Sequence, residues 1–263
     1  MICHQRKMRD AEALLNPDRR QDTGPIGYTI EAIGKEEAKA FILRYEHLRS
    51  VGHPLARYGA RNAAGELAAV ALFGKPHVQP AGICRKLDPK NLSADDRAYL
   101  AKVVCLERGA CAFWANKMTA SWFLPRVLEM ASADHGWRVF FAYSDPEAGE
   151  IGTVYQAARW HYIGEGVGRS SGRTRPKFRH VDWAPDKWVT DREFYRKGLL
   201  MADVGRINGI SIQSDRPWEM RDHSPKGKYV QFTGEKWERR KLYRAMRYPE
   251  LPYPKRPEPW EDD

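Results

Sequence analysis

Hydrophobic positions along the chain change period several times, and each change marks an element. Trp137-Arg-Val-Phe-Phe-Ala-Tyr143 is a short apolar run rich in aromatic and β-branched residues, the pattern of a strand covered on both faces. Ser144-Asp145-Pro146 ends it, because proline restricts the residue before it and donates nothing to a ladder. After Gly149, the residues Ile151, Val154, Tyr155 and Ala158 recur on one helical face, with Gly152 among them. Upstream, Tyr28 to Ile33 alternates as a first strand. A helix follows from Gly34 to His47, with Ala38, Phe41, Ile42 and Tyr45 on one face, and Ser50-Val-Gly-His-Pro54 breaks it. Tyr58–Ala60 and Leu67–Phe73 flank an Asn62–Gly65 turn and read as an antiparallel hairpin. Lys75 to Asp96 is loop-rich, and Ala101 to Cys111 holds another strand-like run. A helix from Asn116 to about Ala133 turns Phe123, Leu124, Val127 and Leu128 inward, with Pro125 in its first turn or at a kink. Trp160 to Val167 reads as the last strand.

This order predicts an α/β (α+β) domain over 27–170, with an antiparallel front half and a crossover-connected back half. Residues 1–26 are polar and basic, end in Gly24-Pro25, and read as a flexible arm. Residues 171–263 turn basic and aromatic and read as an extension. Gly172-Arg-Thr-Arg-Pro-Lys-Phe-Arg-His180 and Lys236-Trp-Glu-Arg-Arg-Lys-Leu-Tyr-Arg244 interleave cations with rings. Phosphates need the cations, and rings stack on bases. Arg173, Arg175, Lys177, Arg179, Lys236, Arg239, Arg240 and Lys241 are therefore candidate DNA contacts. For Trp237, Arg240, Lys241 and Arg244, the helical spacing also fits a solvated helix with its aromatics in the core.

The formal net charge of +10 favours a polyanionic partner: nucleic acid, a phosphorylated cofactor or an anionic surface. It does not choose among them, and a soluble protein that is merely basic fits too. Cys3, Cys84, Cys105 and Cys111 show no C-x-x-C and no zinc-knuckle spacing. No apolar run is long enough to span a bilayer, and the basic N-terminus lacks the apolar stretch of a signal peptide. These features predict a soluble, cytoplasmic protein with no membrane partner.

Asp145, Gly149 and Gly152 fall just past a strand end and before a helix, where α/β proteins hold ligands. A plain strand–turn–helix connection fits the same spacing. Four further positions carry chemistry: His47 at the first helix end, Arg108 near the end of the next strand, Ser121 near a helix start, and Tyr155. Each alone also has a structural reading, His47 as an ordinary core or surface residue and Ser121 as a helix-start hydroxyl.

Leu106-x-Arg108, Ser121-Trp-Phe-Leu, Tyr143-Ser-Asp-Pro-x-x-Gly149-x-x-Gly152-Thr-Val-Tyr155-Gln-Ala-Ala and Tyr162-Ile-Gly164 together resemble the bacteriophage Mom family. The resemblance covers roughly residues 28–180, and Pro252-Tyr-Pro-Lys-Arg256 also looks like phage relatives. It implies a GCN5-related N-acetyltransferase-like mixed sheet flanked by helices. It also implies conversion of adenine N6 in DNA to an N6-carbamoylmethyl group, which shields phage DNA from host restriction. By the same resemblance, acetyl-CoA and iron are associated with the activity, and His47, Arg108, Ser121, Asp145 and Tyr155 match positions of the active site. Gly149, Gly152, Thr153 and Ser121 are then candidate cofactor contacts, and His47, Asp145 and Tyr155 candidate iron ligands. The sequence departs from ordinary acetyltransferases in lacking an Arg/Gln-x-x-Gly-x-Gly/Ala pyrophosphate loop. Trp114, Trp122 or Tyr155 would stack on a flipped adenine, and Asp145 would accept the N6 proton. Two alternatives remain: an acyl-CoA-dependent N-acyltransferase acting on a non-DNA amine, and a non-enzymatic DNA-binding module.

Overall fold

The computed structural model describes residues 3–166, 176–180, 188–190, 218–222 and 224–255. The chain divides into two compact units, residues 1–170 with 226–263, and residues 171–225. In the first unit the strands are β1 (Thr29–Ala32), β2 (Ala56–Arg61), β3 (Leu67–Gly74), β4 (Val103–Cys111), β5 (Val139–Ser144) and β6 (His161–Glu165). In the second, β7 (Pro176–His180), β8 (Val189–Thr190) and β9 (Trp218–Asp222) pair in the order β8-β7-β9. The chain then returns as β10 (Gly227–Phe232), which inserts between β5 and β6 of the first unit. The result is a seven-stranded mixed sheet, β1-β2-β3-β4-β5-β10-β6.

The helices described are α1 (His4–Leu14), α2 (Lys35–Tyr45), α3 (Val78–Ala81), α4 (Ala94–Leu100), α5 (Thr119–His135), α6 (Thr153–Ala157) and α7 (Lys236–Arg244). Successive β5 residues feed opposite faces, as a doubly covered strand requires. Phe140 and Ala142 pack with Phe41 of α2 and Phe123 and Leu128 of α5. Val139 and Phe141 pack with Ala81, Tyr99 and Leu242. None of the helices among the described residues is long and apolar enough to cross a membrane.

The front half is antiparallel from β1 to β4, and α5 carries the crossover to the parallel β4–β5 pair. The predicted hairpin forms with the predicted turn: Asn62 Oδ1 accepts from the Ala64 and Glu66 amides at 3.1 and 2.9 Å, and Gly65 takes φ +79°. The β4–β5 pairing runs only from Val103–Val139 to Leu106–Ala142. Beyond it β4 stays with β3 out to Cys111, while β5 stays with β10 to Ser144. The two strands part there, and Glu107, Arg108 and Asp145 stand at the opening.

Several expectations change. The first residues are not a free arm. Arg9 donates to the carbonyls of Phe113 and Ala115 at 3.2 and 2.6 Å, and Gln5 Oε1 accepts from the His47 amide at 3.0 Å. The segment from residue 226 is not an extension either, because β10 supplies a central strand of the main sheet. Helix α5 starts at Thr119, not Asn116, and continues through Pro125. Helix α6 has only five residues, and Arg159 just beyond it takes φ +57°, a left-handed conformation that ends a helix.

Candidate active site

The site forms where α2, the β4–β5 opening and the turn after β5 meet. Helix α2 ends at Tyr45, and the extended backbone of Glu46 turns the chain into His47, whose side chain is largely covered. Glu46 is buried, and its Oε2 accepts from the Leu48 amide at 3.0 Å. His47 Nδ1 lies 3.6 Å from Glu46 Oε1 and 3.5 Å from Glu150 Oε1. That nitrogen is buried and has no hydrogen-bond partner among the described residues. Burial pushes the imidazole pKa down to about 4, helped by His4 and opposed by Asp145. Burial also pushes the Glu150 carboxyl up to about 7; the Asp145 and Glu46 charges add to this, and the Lys226 ammonium opposes it. Glu46 moves the same way by burial, with Arg108 opposing. At neutral pH the cluster is therefore a neutral imidazole between two carboxyls, at least one of them poised to exchange a proton.

Asp145 closes the other side. Its Oδ2 meets Lys226 Nζ at 2.8 Å, and its Oδ1 accepts from the Glu147 amide at 3.1 Å, capping a 3₁₀ turn at Pro146–Ala148. Its carbonyl accepts from the Glu150 amide at 3.0 Å, which sets where Glu150 points. Arg108 donates from Nε and Nη2 to the carbonyl and hydroxyl of Ser50 at 2.8 and 2.9 Å, and its Nε is 4.0 Å from Glu46. It pins the break after α2 onto β4, so its donors are largely spent inside the protein.

Of the residues singled out in the sequence, His47, Arg108, Asp145 and Tyr155 come together. Tyr155 is packed against Trp160 and Tyr229, with ring centroids at 5.2 and 5.1 Å. Burial drives its phenol pKa far up, with the Glu150 charge adding. Ser121 stays apart: its hydroxyl donates to Met118 of its own chain segment at 3.0 Å. Gly149 closes the 3₁₀ turn at φ +70°. Gly152 has φ +73°, and a Cβ there would fall 2.4 Å from the Tyr229 ring. A packing demand accounts for that glycine without a ligand. Thr153 opens α6 beside it. The expected stacking platforms are also occupied, since Trp114 is buried under Arg19 and Tyr28 meets Trp122 edge-on.

Sequence reasoning misses Glu46, Glu150 and Lys226. Glu150 lies inside the motif itself, and an acidic residue between two turn glycines is the signal that could have found it. Lys226 has none, because only the pairing of β10 with β5 brings it to Asp145.

The expected iron set does not fit. Asp145 is held by an ammonium, Tyr155 is a half-buried neutral phenol, and no group of three or more His, Cys, Asp or Glu among the described residues is arranged to hold a metal ion. Nor does Gly109–Ser121 form a pyrophosphate cradle: it buries Phe113 and Trp114, and its carbonyls accept from Arg9 and the Asp22 amide.

Among the candidate DNA contacts, Arg173 and Arg175 lie outside the described residues. Lys177 is on β7. Arg179 is bound to Glu219 at 2.9 Å and lies over Trp188, so it is spent within its own sheet. Lys236, Arg239, Arg240 and Lys241 are exposed on α7.

No curated protein matches the chain. Among solved structures, a spermidine N-acetyltransferase from Vibrio cholerae in complex with CoA and spermine is similar at 7% identity and TM-score 0.40, over 83% of this chain and 99% of that one. A ribosomal-protein-S5-alanine acetyltransferase from Vibrio fischeri is similar at 6% identity and TM-score 0.40, over 80% of this chain and 94% of that one. The sequence itself matches the Mom protein family over residues 27–255, nearly the whole of the chain, and the chain belongs to that family.

Proposed function

We propose that this protein is a DNA-modifying transferase that converts adenine N6 to N6-carbamoylmethyladenine and so protects the DNA from restriction. Family membership supports the reaction class. The observation that carries the chemistry is His47 between the buried Glu46 and the half-buried Glu150 carboxyls at the β4–β5 opening, with Nδ1 3.5 Å from Glu150.

The N6 lone pair is delocalised into the purine ring, so the amine becomes nucleophilic only as its proton leaves. A base must take that proton while the N–C bond forms. Motif spacing points to Asp145, but both of its oxygens are engaged. Glu150 suits the task better, because a carboxylate poised near pH 7 accepts a proton readily at neutral pH. The His47 imidazole stays neutral beside it, 3.5 Å from Glu150 Oε1, and leaves Glu150 to take the proton. Asp145 positions Glu150 through its carbonyl and the 3₁₀ turn. Lys226 keeps the local charge from accumulating. The target adenine must leave the helical stack to reach this opening, or be met in single-stranded DNA. The new bond is to a CH2 group, which acetyl transfer does not deliver, so the donor is a carbamoylmethyl group bonded to a leaving group, which departs with the electron pair of its bond to CH2 as the N–C bond forms. Neither iron nor acetyl-CoA enters these steps.

The test is restriction challenge of plasmid grown with the protein. Wild type should protect adenine-containing sites. Glu150→Gln should lower protection by about 10²–10⁴ in rate, the usual contribution of a general base, and Asp145→Asn by less. Undiminished protection by Glu150→Gln would remove it from the mechanism.

A further inference from the structure

Helix α7 carries a surface that the site does not use. Its inner side is fixed by Leu242, which packs with Cys84, Tyr99 and Leu100, and by Glu238, 3.6 Å from Arg138. At 100° per residue the opposite side presents Lys236, Trp237, Arg240, Lys241 and Arg244. Trp237 is 65% exposed. A tryptophan in that position is the reverse of a solvated helix with its aromatics in the core. The five residues are exposed, and none of the four cations has an ion pair or hydrogen bond within the described residues. Lys241 and Arg239 sit on the two flanks of this face, both exposed.

We infer that this face is a nucleic-acid platform on which an unpaired base stacks against Trp237 while Lys236, Arg240, Lys241 and Arg244 take the adjoining phosphates. The residues span about 12 Å along the helix, room for a few successive phosphates. A planar ring flanked by guanidinium groups matches a base and its backbone. An anionic membrane fits less well, since α7 offers no exposed aliphatic side chain on this face to enter acyl chains. Register places the platform away from the candidate active site. Lys226 and Gly227 lie at the Ser144 end of β10, whereas α7 follows Phe232, which pairs with Val139. The two are therefore separated by about 20 Å of strand. The platform would hold DNA without touching the reacting base. This inference rests on the DNA-modifying reading and adds where the strand is held.

The test is anisotropy of a fluorescein-labelled mixed-sequence single-stranded oligonucleotide with the full-length protein. Trp237→Ala should raise Kd about tenfold, within the usual effect of losing one base stack, and Trp237→Phe should recover most of it. Arg240→Gln with Arg244→Gln should flatten the dependence of log K on log salt by about 1.4, while Trp237→Ala leaves that slope unchanged. In restriction challenge, Trp237→Ala should leave the plasmid less protected than wild type at equal protein level. Unchanged Kd in Trp237→Ala would overturn the platform while wild-type protection kept the transferase reading standing. Tighter retention of the wild type on phosphatidylserine vesicles than on the oligonucleotide would overturn it in favour of a membrane surface. If wild type gives no protection but Trp237→Ala still weakens oligonucleotide binding, the platform stands and the transferase reading falls.

Discussion

At the scale of single residues, burial rather than charge pairing sets the chemistry. Glu150 and His47 are both pushed towards their neutral forms, and they respond to pH in opposite senses. Glu150 holds its proton up to about pH 7 in the folded protein, so its contribution to stability falls as pH rises from the ordinary carboxylate range through 7. His47 stays neutral in the folded protein down to about pH 4, so its contribution falls as pH drops from the ordinary histidine range towards 4. Replacing Glu150 by Gln removes the first effect alone. Urea denaturation should find Glu150→Gln gaining roughly 3 kcal/mol on the wild type between pH 4 and pH 8. A gap between the two proteins that stays constant with pH would show that Glu150 titrates as if exposed. Modification rate should rise with pH to a plateau above about 7. At this scale the sequence singles out His47, Arg108, Asp145 and Tyr155 as candidates, by residue type and by the family resemblance. It hides Glu46 and Glu150 because burial, which makes a carboxyl basic, has no local signature.

At the scale of elements, the most legible parts are those whose periodicity is set by local packing. β5 reads correctly because both faces are covered, and the β2–β3 hairpin because Asn62 and Gly65 write its turn. The apolar spacing makes α6 too long, since it runs to Ala158 while Arg159 already turns left-handed. Motif position makes Gly152 a candidate ligand contact, whereas the residue also meets a long-range aromatic. Gly152→Ala must both strain a positive φ and displace Tyr229, whose hydroxyl bonds the Ile151 carbonyl at 2.5 Å. A loss of about 2–4 kcal/mol in chemical denaturation is expected. A loss below about 0.5 kcal/mol would mean that the Tyr229 ring yields freely.

At the scale of the whole molecule, a strand from near the C-terminus completes the sheet. Composition marks residues 171–263 as one basic extension, and nothing local separates 171–225 from residues 226–263. Only pairing does: β10 joins both β5 and β6, and it brings Lys226 to Asp145. A chain ending at residue 225 would leave β5 and β6 without their shared neighbour. It should show no cooperative thermal transition, whereas a melting curve like that of the full chain would refute the role given to β10. The net charge of +10 favours a polyanionic partner at this scale, which suits the proposed DNA substrate, and α7 supplies exposed cations in the described part of the first unit.

Mass spectrometry of nucleosides from plasmid propagated with the protein, beside a Glu150→Gln control, tests the central claim most directly. A deoxyadenosine species heavier by one carbamoylmethyl group in the wild-type sample, and much reduced in the control, is the expected result. Unmodified deoxyadenosine in both, with folded protein present in the cells, would contradict it.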